Sequence, residues 1–166
     1  YIERGHPMWD ADGIFAFNNH LQKGGMWLLK KDNIPGFSAA AAPNGVNFSD
    51  AASHYMTARY RKYGPVTPPD YLTPSVTPAS AGPQIADRGK YFFLPALGDY
   101  GGSTGGGYPS NWWTLYGLGT YGAYTCSNTY DNNQGLYTWS LDFTSTTVQL
   151  NSTQGISNGL PLWKAQ

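Results

Sequence analysis

The sequence predicts an α+β fold, with a twisted antiparallel sheet, one or two short helices and long irregular loops. Residues 137–144 and 147–151 alternate large apolar with small polar residues, the two-residue period of strands with one buried face. The 166 residues include 21 Gly and 12 Pro, so turns and loops are plentiful. A chain of this length forms one domain, residues 1–166, and buries roughly two thirds of its unfolded surface.

The first half of the chain carries weaker periodicity. Residues 14–21 could form a short helix, and residues 23–31 either a short buried strand or the end of a helix. A helix over residues 49–63 is favoured by Ser49 at its start. The proline-rich residues 65–83 are expected to form an extended surface loop within the same domain.

The second half reads as strands joined by glycine-rich loops. Residues 90–96 predict a buried strand that ends at Pro95. The glycine-rich residues 101–107 lack the spacing and the lysine of a phosphate-binding loop, and they lead to an aromatic cluster at residues 108–113. Strands are expected from there to the end, including residues 159–164.

The charge pattern and the length of the apolar runs argue against two classes of partner, nucleic acid and the membrane interior. Ten basic and ten acidic residues cancel, and no Lys or Arg lies between Lys90 and Lys164, so nothing offers the basic patch that nucleic acid requires. No apolar run approaches the roughly 20 residues that span a bilayer, so direct membrane insertion is not expected. The chain opens at Tyr1 without a Met, and we expect a piece of a longer protein whose targeting signal lies upstream.

Residues with catalytic or metal-binding chemistry are scattered. His6, His20 and His54 form no zinc-binding pattern. Asp10 and Asp12, before a glycine, favour a capped turn over a calcium loop. The only cysteine, Cys126, excludes an internal disulfide and reads as a small buried thiol more readily than as a nucleophile, since no His follows residue 54. We expect no catalytic residue, no metal and no cofactor.

The same alternation assigns a face to each side chain of the C-terminal strands. The inward set is Tyr137, Trp139, Leu141, Phe143, Val148 and Leu150, and the outward set is Thr138, Ser140, Asp142, Gln149 and Asn151. Trp27, Phe92 and Phe93 are also expected in the core.

The outward face carries little charge and, together with the aromatic residues of nearby loops, suggests a binding surface. Tyr, Ser, Gly and Asn supply contact area and adaptable hydrogen bonds at low entropic cost. The candidate ligand-binding residues are Trp112, Trp113, Tyr116, Tyr121, Tyr130, Asp131, Asn133, Thr138, Ser140, Asp142, Gln149, Asn151 and Thr153. The alternative is an ordinary solvated sheet, with several of these rings covering the core.

Three stretches together resemble a family of Bacteroidetes surface proteins, the Fibrobacter succinogenes major paralogous domain and its fimbrillin-associated relatives. They are YIERGHPMWDADG (residues 1–13), HLQKGGMWLLKKDNIPGF (20–37) and KYFFLPALG (90–98). The ending is similar too, in GAYTCS (122–127), LYTWSLDF (136–143), TVQLN (147–151) and GLPLW (159–163). The sequence departs from the family pattern at Thr125, Cys126, Trp163 and along residues 149–157.

The resemblance implies a C-type-lectin-like fold of the formylglycine-generating-enzyme type, whose C-terminal strands and loops present a ligand surface. Some proteins with this fold are variable proteins of diversity-generating retroelements, in phages or on bacterial surfaces. The enzyme branch needs chemistry that one cysteine does not supply, and the calcium-binding tripeptides of classical C-type lectins, GluProAsn and GlnProAsp, do not occur here.

The expected function is non-enzymatic recognition or adhesion by a variable C-terminal surface. The partner would be a cell-surface glycan or protein receptor, and the domain would be the tip of a bacterial adhesin or a phage receptor-binding protein. It would then be extracellular, on a cell surface or on a virion, and a homo-oligomer or fibre would suit it. The alternatives are a structural pilus or fibre subunit and, with less support, an enzyme of the formylglycine-generating type.

Overall fold

The computed structural model describes residues 1–2, 4–38, 75–101, 114–130 and 137–155. Within these ranges the chain is mostly β-strand. The strands are β1 Met8–Phe17, β2 His20–Leu29, β3 Ser75–Val76, β4 Ala79–Ser80, β5 Tyr91–Pro95, β6 Asp99–Gly101, β7 Thr114–Tyr116, β8 Tyr121–Tyr130, β9 Tyr137–Thr144 and β10 Val148–Gly155. Two 3₁₀ turns, Lys31–Asn33 and Ile85–Lys90, are the helical elements of the described part. No helix there is long and apolar enough to cross a membrane.

The first two strands form an antiparallel hairpin, so the short helix expected over residues 14–21 is wrong. Phe17 pairs with His20 across a two-residue turn. Asn18 and Asn19 at its centre have φ of 48° and 63°, the left-handed conformation that a type I′ hairpin turn needs at both positions. Two consecutive left-handed residues cannot continue a right-handed helix. For residues 23–31, the strand alternative is confirmed.

The first sheet has the strand order β4-β1-β2-β5, and the second has the order β3-β10-β9-β8. The predicted strand over residues 137–144 coincides with β9, and the strand ending at Pro95 is β5. The strand predicted over residues 147–151 is confirmed as β10, which continues to Gly155. The helix predicted over residues 49–63 and the strand over residues 159–164 lie outside the described residues, as does most of the loop at 65–83.

One apolar core joins the two sheets. Its buried members are Ile2, Met26, Leu28, Ala96, Phe143 and Val148, and Trp9, Val76, Phe92, Leu94, Tyr124 and Leu141 pack against them. The inward assignment of Leu141, Phe143 and Val148 is therefore confirmed, as is that of Phe92. The side chains of Tyr137, Trp139 and Leu150 lie outside what the structure describes.

Trp27 and Phe93 do not belong to this core. Met26 and Leu28 of β2 are fully buried in it, so Trp27 between them points to the other face of the sheet, where it pairs with Phe93. The two rings lie 5.0 Å apart, and the Arg88 guanidinium lies 5.6 Å from the Trp27 ring. The prediction of core positions for Trp27 and Phe93 is wrong, because a continuous apolar run does not show which strand face is the buried one.

Two short segments connect the sheets at their edges. In residues 75–80, β3 pairs with β10 of the second sheet, and β4 then pairs with β1 of the first. In residues 91–101, β5 pairs with β2, and Gly98 then forms a parallel bridge with Gly122 of β8. Each segment changes sheets at a bend, which is how strands make the corners of packed sheets. The second corner lies beside the predicted binding surface.

Candidate recognition surface

The β6–β7 pair is a separate two-stranded sheet that adjoins β8 at a single bridge. The Gly98 amide donates to the Tyr121 carbonyl at 2.8 Å, next to the bridge between Gly98 and Gly122. Asp99 follows Gly98 and pairs with Tyr116 on β7. Asp99 and Ala123 are the residues that follow the two bridged glycines, Gly98 and Gly122.

A row of paired residues crosses the three long strands next to this bridge. Ala123 of β8 pairs with Asp142 of β9, and Asp142 pairs with Gln149 of β10. Cross-strand partners have side chains on the same face of a sheet. These three residues therefore form a row on the face opposite Phe143. Two predicted ligand-binding residues, Asp142 and Gln149, belong to this row, and a third, Tyr116, pairs with Asp99 in the adjoining β6–β7 pair.

The face opposite the core is itself covered in part. Ser140 and Asp142 alternate with the core residues, as predicted, but their exposed fractions are 0% and 3%. Ala123 on the same face is also buried. The prediction that Ser140 and Asp142 are accessible to a ligand is therefore wrong. Alternation along one strand identifies the two faces but does not reveal a second covering layer.

The buried polar pair is bonded internally. Ser140 Oγ donates to Asp142 Oδ1 at 2.6 Å, a short bond of the kind that a hydroxyl makes to a carboxylate. Among the described side chains, no buried nitrogen or oxygen lacks a hydrogen-bond partner. Ser140 and Asp142 therefore stabilise the sheet beneath the surface and are not part of the accessible surface itself.

Asp99 is a site residue that the sequence analysis missed. Its side chain is half-buried. Burial raises the pKa of the Asp99 carboxyl, and the neighbouring charge of Asp142 raises it further. The two residues are 43 positions apart, and only the corner at Gly98 brings their strands together, so no local pattern could have found the pair.

Tyr116, in the adjoining β6–β7 pair, is 58% exposed. Gln149 and Tyr121 are half-buried. A tight turn holds Tyr116 and Tyr121 near each other, with the Tyr121 amide donating to the Gly117 carbonyl at 2.8 Å. Gly117 has φ of +72°, and a Cβ there would meet the Tyr121 Cβ at 2.7 Å.

The far end of the C-terminal sheet is interrupted by two bulges at one level. On one side of β9, the three steps from Asn151 to Gln154 face the two steps from Ser140 to Thr138. On the other side, the four steps from Thr125 to Thr129 face the same two steps. Both neighbours of β9 therefore carry extra residues opposite Trp139. Bulges bend a strand and re-aim its side chains, and they are frequent beside functional sites.

Several predicted ligand residues meet at this bulged end, which comprises residues 125–130, 137–140 and 151–155. Beyond the bulges, Thr138 pairs with Thr129 and Gln154, and Tyr130 pairs with Tyr137. Asn151 and Thr153 belong to the bulged stretch of β10. Trp112, Trp113, Asp131 and Asn133 lie outside the described residues.

The other chemical candidates have local structural partners. The Asp12 amide donates to Asp10 Oδ1 at 3.1 Å, so the capped turn favoured for this pair is present. His6 Nδ1 lies 2.8 Å from the Tyr91 hydroxyl, and His20 is exposed beside the hairpin turn. Across the described ranges, no three His, Cys, Asp or Glu side chains are grouped as metal ligands.

No protein-family model, curated protein or solved structure matches this chain.

Proposed function

We propose that this chain is a non-enzymatic recognition domain that binds a cell-surface glycan or protein through the bulged end of its C-terminal sheet. The observation that carries the proposal is the pair of bulges on the two sides of β9 at one level. Regular strands would have continued the alternation to the end of the sheet. Extra residues in both neighbours instead change the direction of the chain where Tyr130, Thr138 and Thr153 are placed.

The composition of this end supports binding by contact and hydrogen bonds. Between residues 114 and 155 the charged residues are Asp131 and Asp142, and Asp142 is buried. Hydroxyl and amide groups with tyrosine rings suit a neutral partner, because sugars and protein surfaces offer both hydrogen-bonding groups and apolar faces.

The strands that carry the surface are anchored by residues outside it, which keeps a recognition site in place when the surface residues change. Phe143 and Val148 anchor β9 and β10 in the core, and Ser140 bonds to Asp142 on the other face. Substitution of residues beyond the bulges would leave these contacts intact. This separation between scaffold and surface suits a variable protein of a diversity-generating retroelement, the context that the resemblance implies.

The finer assignments belong to the same proposal. The fold would be C-type-lectin-like, and the domain would form the tip of a bacterial adhesin or a phage receptor-binding protein outside the cell or on a virion. Display in several copies would raise the avidity of a weak single site by orders of magnitude.

A structural role in a pilus or fibre is the second candidate, and one observation favours it. Ile14 and Leu21, on neighbouring strands of the β1–β2 hairpin, are 64% and 78% exposed. Subunit contacts bury large apolar faces, so exposed apolar residues on a hairpin are what such a subunit would need. The double substitution of Ile14 and Leu21 by Ser would then abolish assembly, as measured by light scattering.

Binding of the purified domain to a glycan array and to intact bacterial cells tests the proposal, with and without a chelator. The proposal predicts selective binding that the chelator leaves unchanged, since no three His, Cys, Asp or Glu side chains of the described residues are grouped as metal ligands. Absence of binding to both the array and the cells would contradict the proposal and would favour the structural role.

A further inference from the structure

We propose that Asp99 and Asp142 form a proton-controlled latch that holds the β6–β7 pair against the C-terminal sheet more tightly at acidic than at neutral pH. The latch stands on the register of the strands. It deepens the proposed function only in that β7 carries Tyr116, a predicted ligand residue that is 58% exposed, and to that extent it rests on the proposed function.

The strand pairing brings two carboxyl groups close together, with a small residue on the strand between them. Asp99 follows Gly98, which is bridged to Gly122, and Ala123, which follows Gly122, pairs with Asp142. Alanine is too short to separate the side chains on either side of it. Asp142 is almost completely buried and accepts the Ser140 hydrogen bond, which fixes the position of its carboxylate.

Asp99 and Asp142 act on the attachment of the β6–β7 pair to β8, which is small in the part that the structure describes. β6 and β7 have three residues each, and their connection to β8 includes the Gly98 amide bond to the Tyr121 carbonyl. The Gly119 amide adds a bond to the Ala96 carbonyl at 2.7 Å. A pair of strands with so few bonds opens more easily than the packed sheets, so one added charge has a measurable effect.

The groups around Asp99 that come from residues 91–163 include no positive charge. In the described structure, Asp142 of β9 acts on Asp99, Tyr116 faces it across β7, and Tyr121 precedes Ala123 by two residues on β8. Gln149 extends the row on β10 without charge. No Lys, Arg or His occurs between residues 91 and 163. An ionised Asp99 therefore meets a like charge in a partly dry site.

The direction of the pH effect follows from the raised pKa of Asp99, which has burial as its first cause and Asp142 as its second. Detachment returns Asp99 to water and its pKa to the usual range. Attachment of the β6–β7 pair is therefore strongest below the usual pKa of an aspartate carboxyl. It weakens as the pH rises through the raised pKa of Asp99 and is constant at higher pH.

Hydrogen exchange of the β6 and β7 backbone amides, on the full chain without ligand, tests the latch. After correction for the intrinsic exchange rate, protection of these amides is expected to fall as the pH rises from the usual aspartate pKa of 3.8 through the raised pKa of Asp99, by about tenfold for each unit by which the pKa is raised. Asp99→Asn should retain the protection and lose its pH dependence. Asp87→Asn, at an exposed carboxylate paired with Lys90, is the matched control and should keep the wild-type profile.

A flat wild-type profile, or an unchanged pH dependence in Asp99→Asn, would overturn the latch. Should Asp99→Asn fail to fold, carboxyl-carbon titration of the wild type decides, because an Asp99 pKa in the usual range also overturns it. These readouts need no ligand. Failure of glycan and cell binding would therefore remove the proposed function and leave the latch standing, whereas flat exchange would remove only the latch.

Discussion

Tyr124 and Phe143 stack with their ring centroids 5.9 Å apart and their planes 12° from parallel. The stack joins β8 to β9 on the core side of the second sheet. The Tyr124 hydroxyl then donates to the Pro95 carbonyl at 2.7 Å, at the end of β5 in the first sheet. One side chain of β8 thus contacts two further strands, one in each sheet, close to the corner from which β6 begins.

Replacement of Phe143 by Ala is expected to lower the free energy of unfolding by about 3–5 kcal/mol, because the ring is fully buried and its loss leaves a cavity. Urea denaturation measures the change. Tyr116→Ala removes a similarly large but exposed ring and should change stability by less than about 0.5 kcal/mol. Equal effects of the two substitutions would show that the inward face of β9 is misassigned.

Tyr124→Phe is expected to cost about 1–3 kcal/mol, since it leaves the Pro95 carbonyl without the hydroxyl that bonds it. Burial also raises the Tyr124 pKa well above the usual 10.0. Its stabilising contribution is therefore complete below pH 10.0 and is lost as the pH rises towards the raised pKa. The wild type should lose stability above about pH 10, and Tyr124→Phe should lose less over the same range. Tyr124 ionising near its usual pKa in an ultraviolet titration would contradict this.

Ser140→Ala is expected to cost about 1–3 kcal/mol, because it removes the donor from a buried carboxylate. For a domain of this size, each kcal/mol shifts the melting temperature by about 2–4 °C, so calorimetry resolves the loss. Gln149→Ala on the neighbouring strand is the control and should melt close to the wild type. A melting temperature unchanged by Ser140→Ala would show instead that Ser140 lies on a solvated outward face, as the alternation alone suggested.

Gly122→Ala is expected to destabilise the domain by about 1–3 kcal/mol through overpacking. A Cβ at Gly122 would overlap the Phe143 ring, whereas a Cβ at Gly89 would meet nothing within 4 Å. Gly89→Ala is therefore the matched control for the loss of backbone freedom. Chemical denaturation of the two variants checks the difference, and equal stabilities would show that β8 is farther from Phe143 than the structure places it.

Local patterns were sufficient for the strands with one clear buried face. The alternation at Leu141 and Phe143 and the proline after Leu94 correspond to β9 and β5. They were not sufficient at the β1–β2 hairpin, where a pair of asparagines adopts a left-handed turn inside an otherwise helix-compatible stretch.

The candidate site was only partly predictable because its contacts are not local. The burial of Ser140 and Asp142 depends on what covers the second face of β9, and the approach of Asp99 depends on a corner in another part of the chain. Alternation within one strand carries no information about either. The bulges opposite Trp139 are likewise a property of three strands together.

The recognition surface is tested by comparing the two ends of the C-terminal sheet. Tyr130→Ala and Thr138→Ala change the bulged end, and Ser145→Ala changes an exposed residue in the turn after β9. Affinities for a glycan or cell identified by the array are measured beside melting temperatures. The proposed function predicts that affinity falls at least about tenfold for the first two variants and stays unchanged for Ser145→Ala, and that all three melt like the wild type. Undiminished affinity in both bulged-end variants would contradict it.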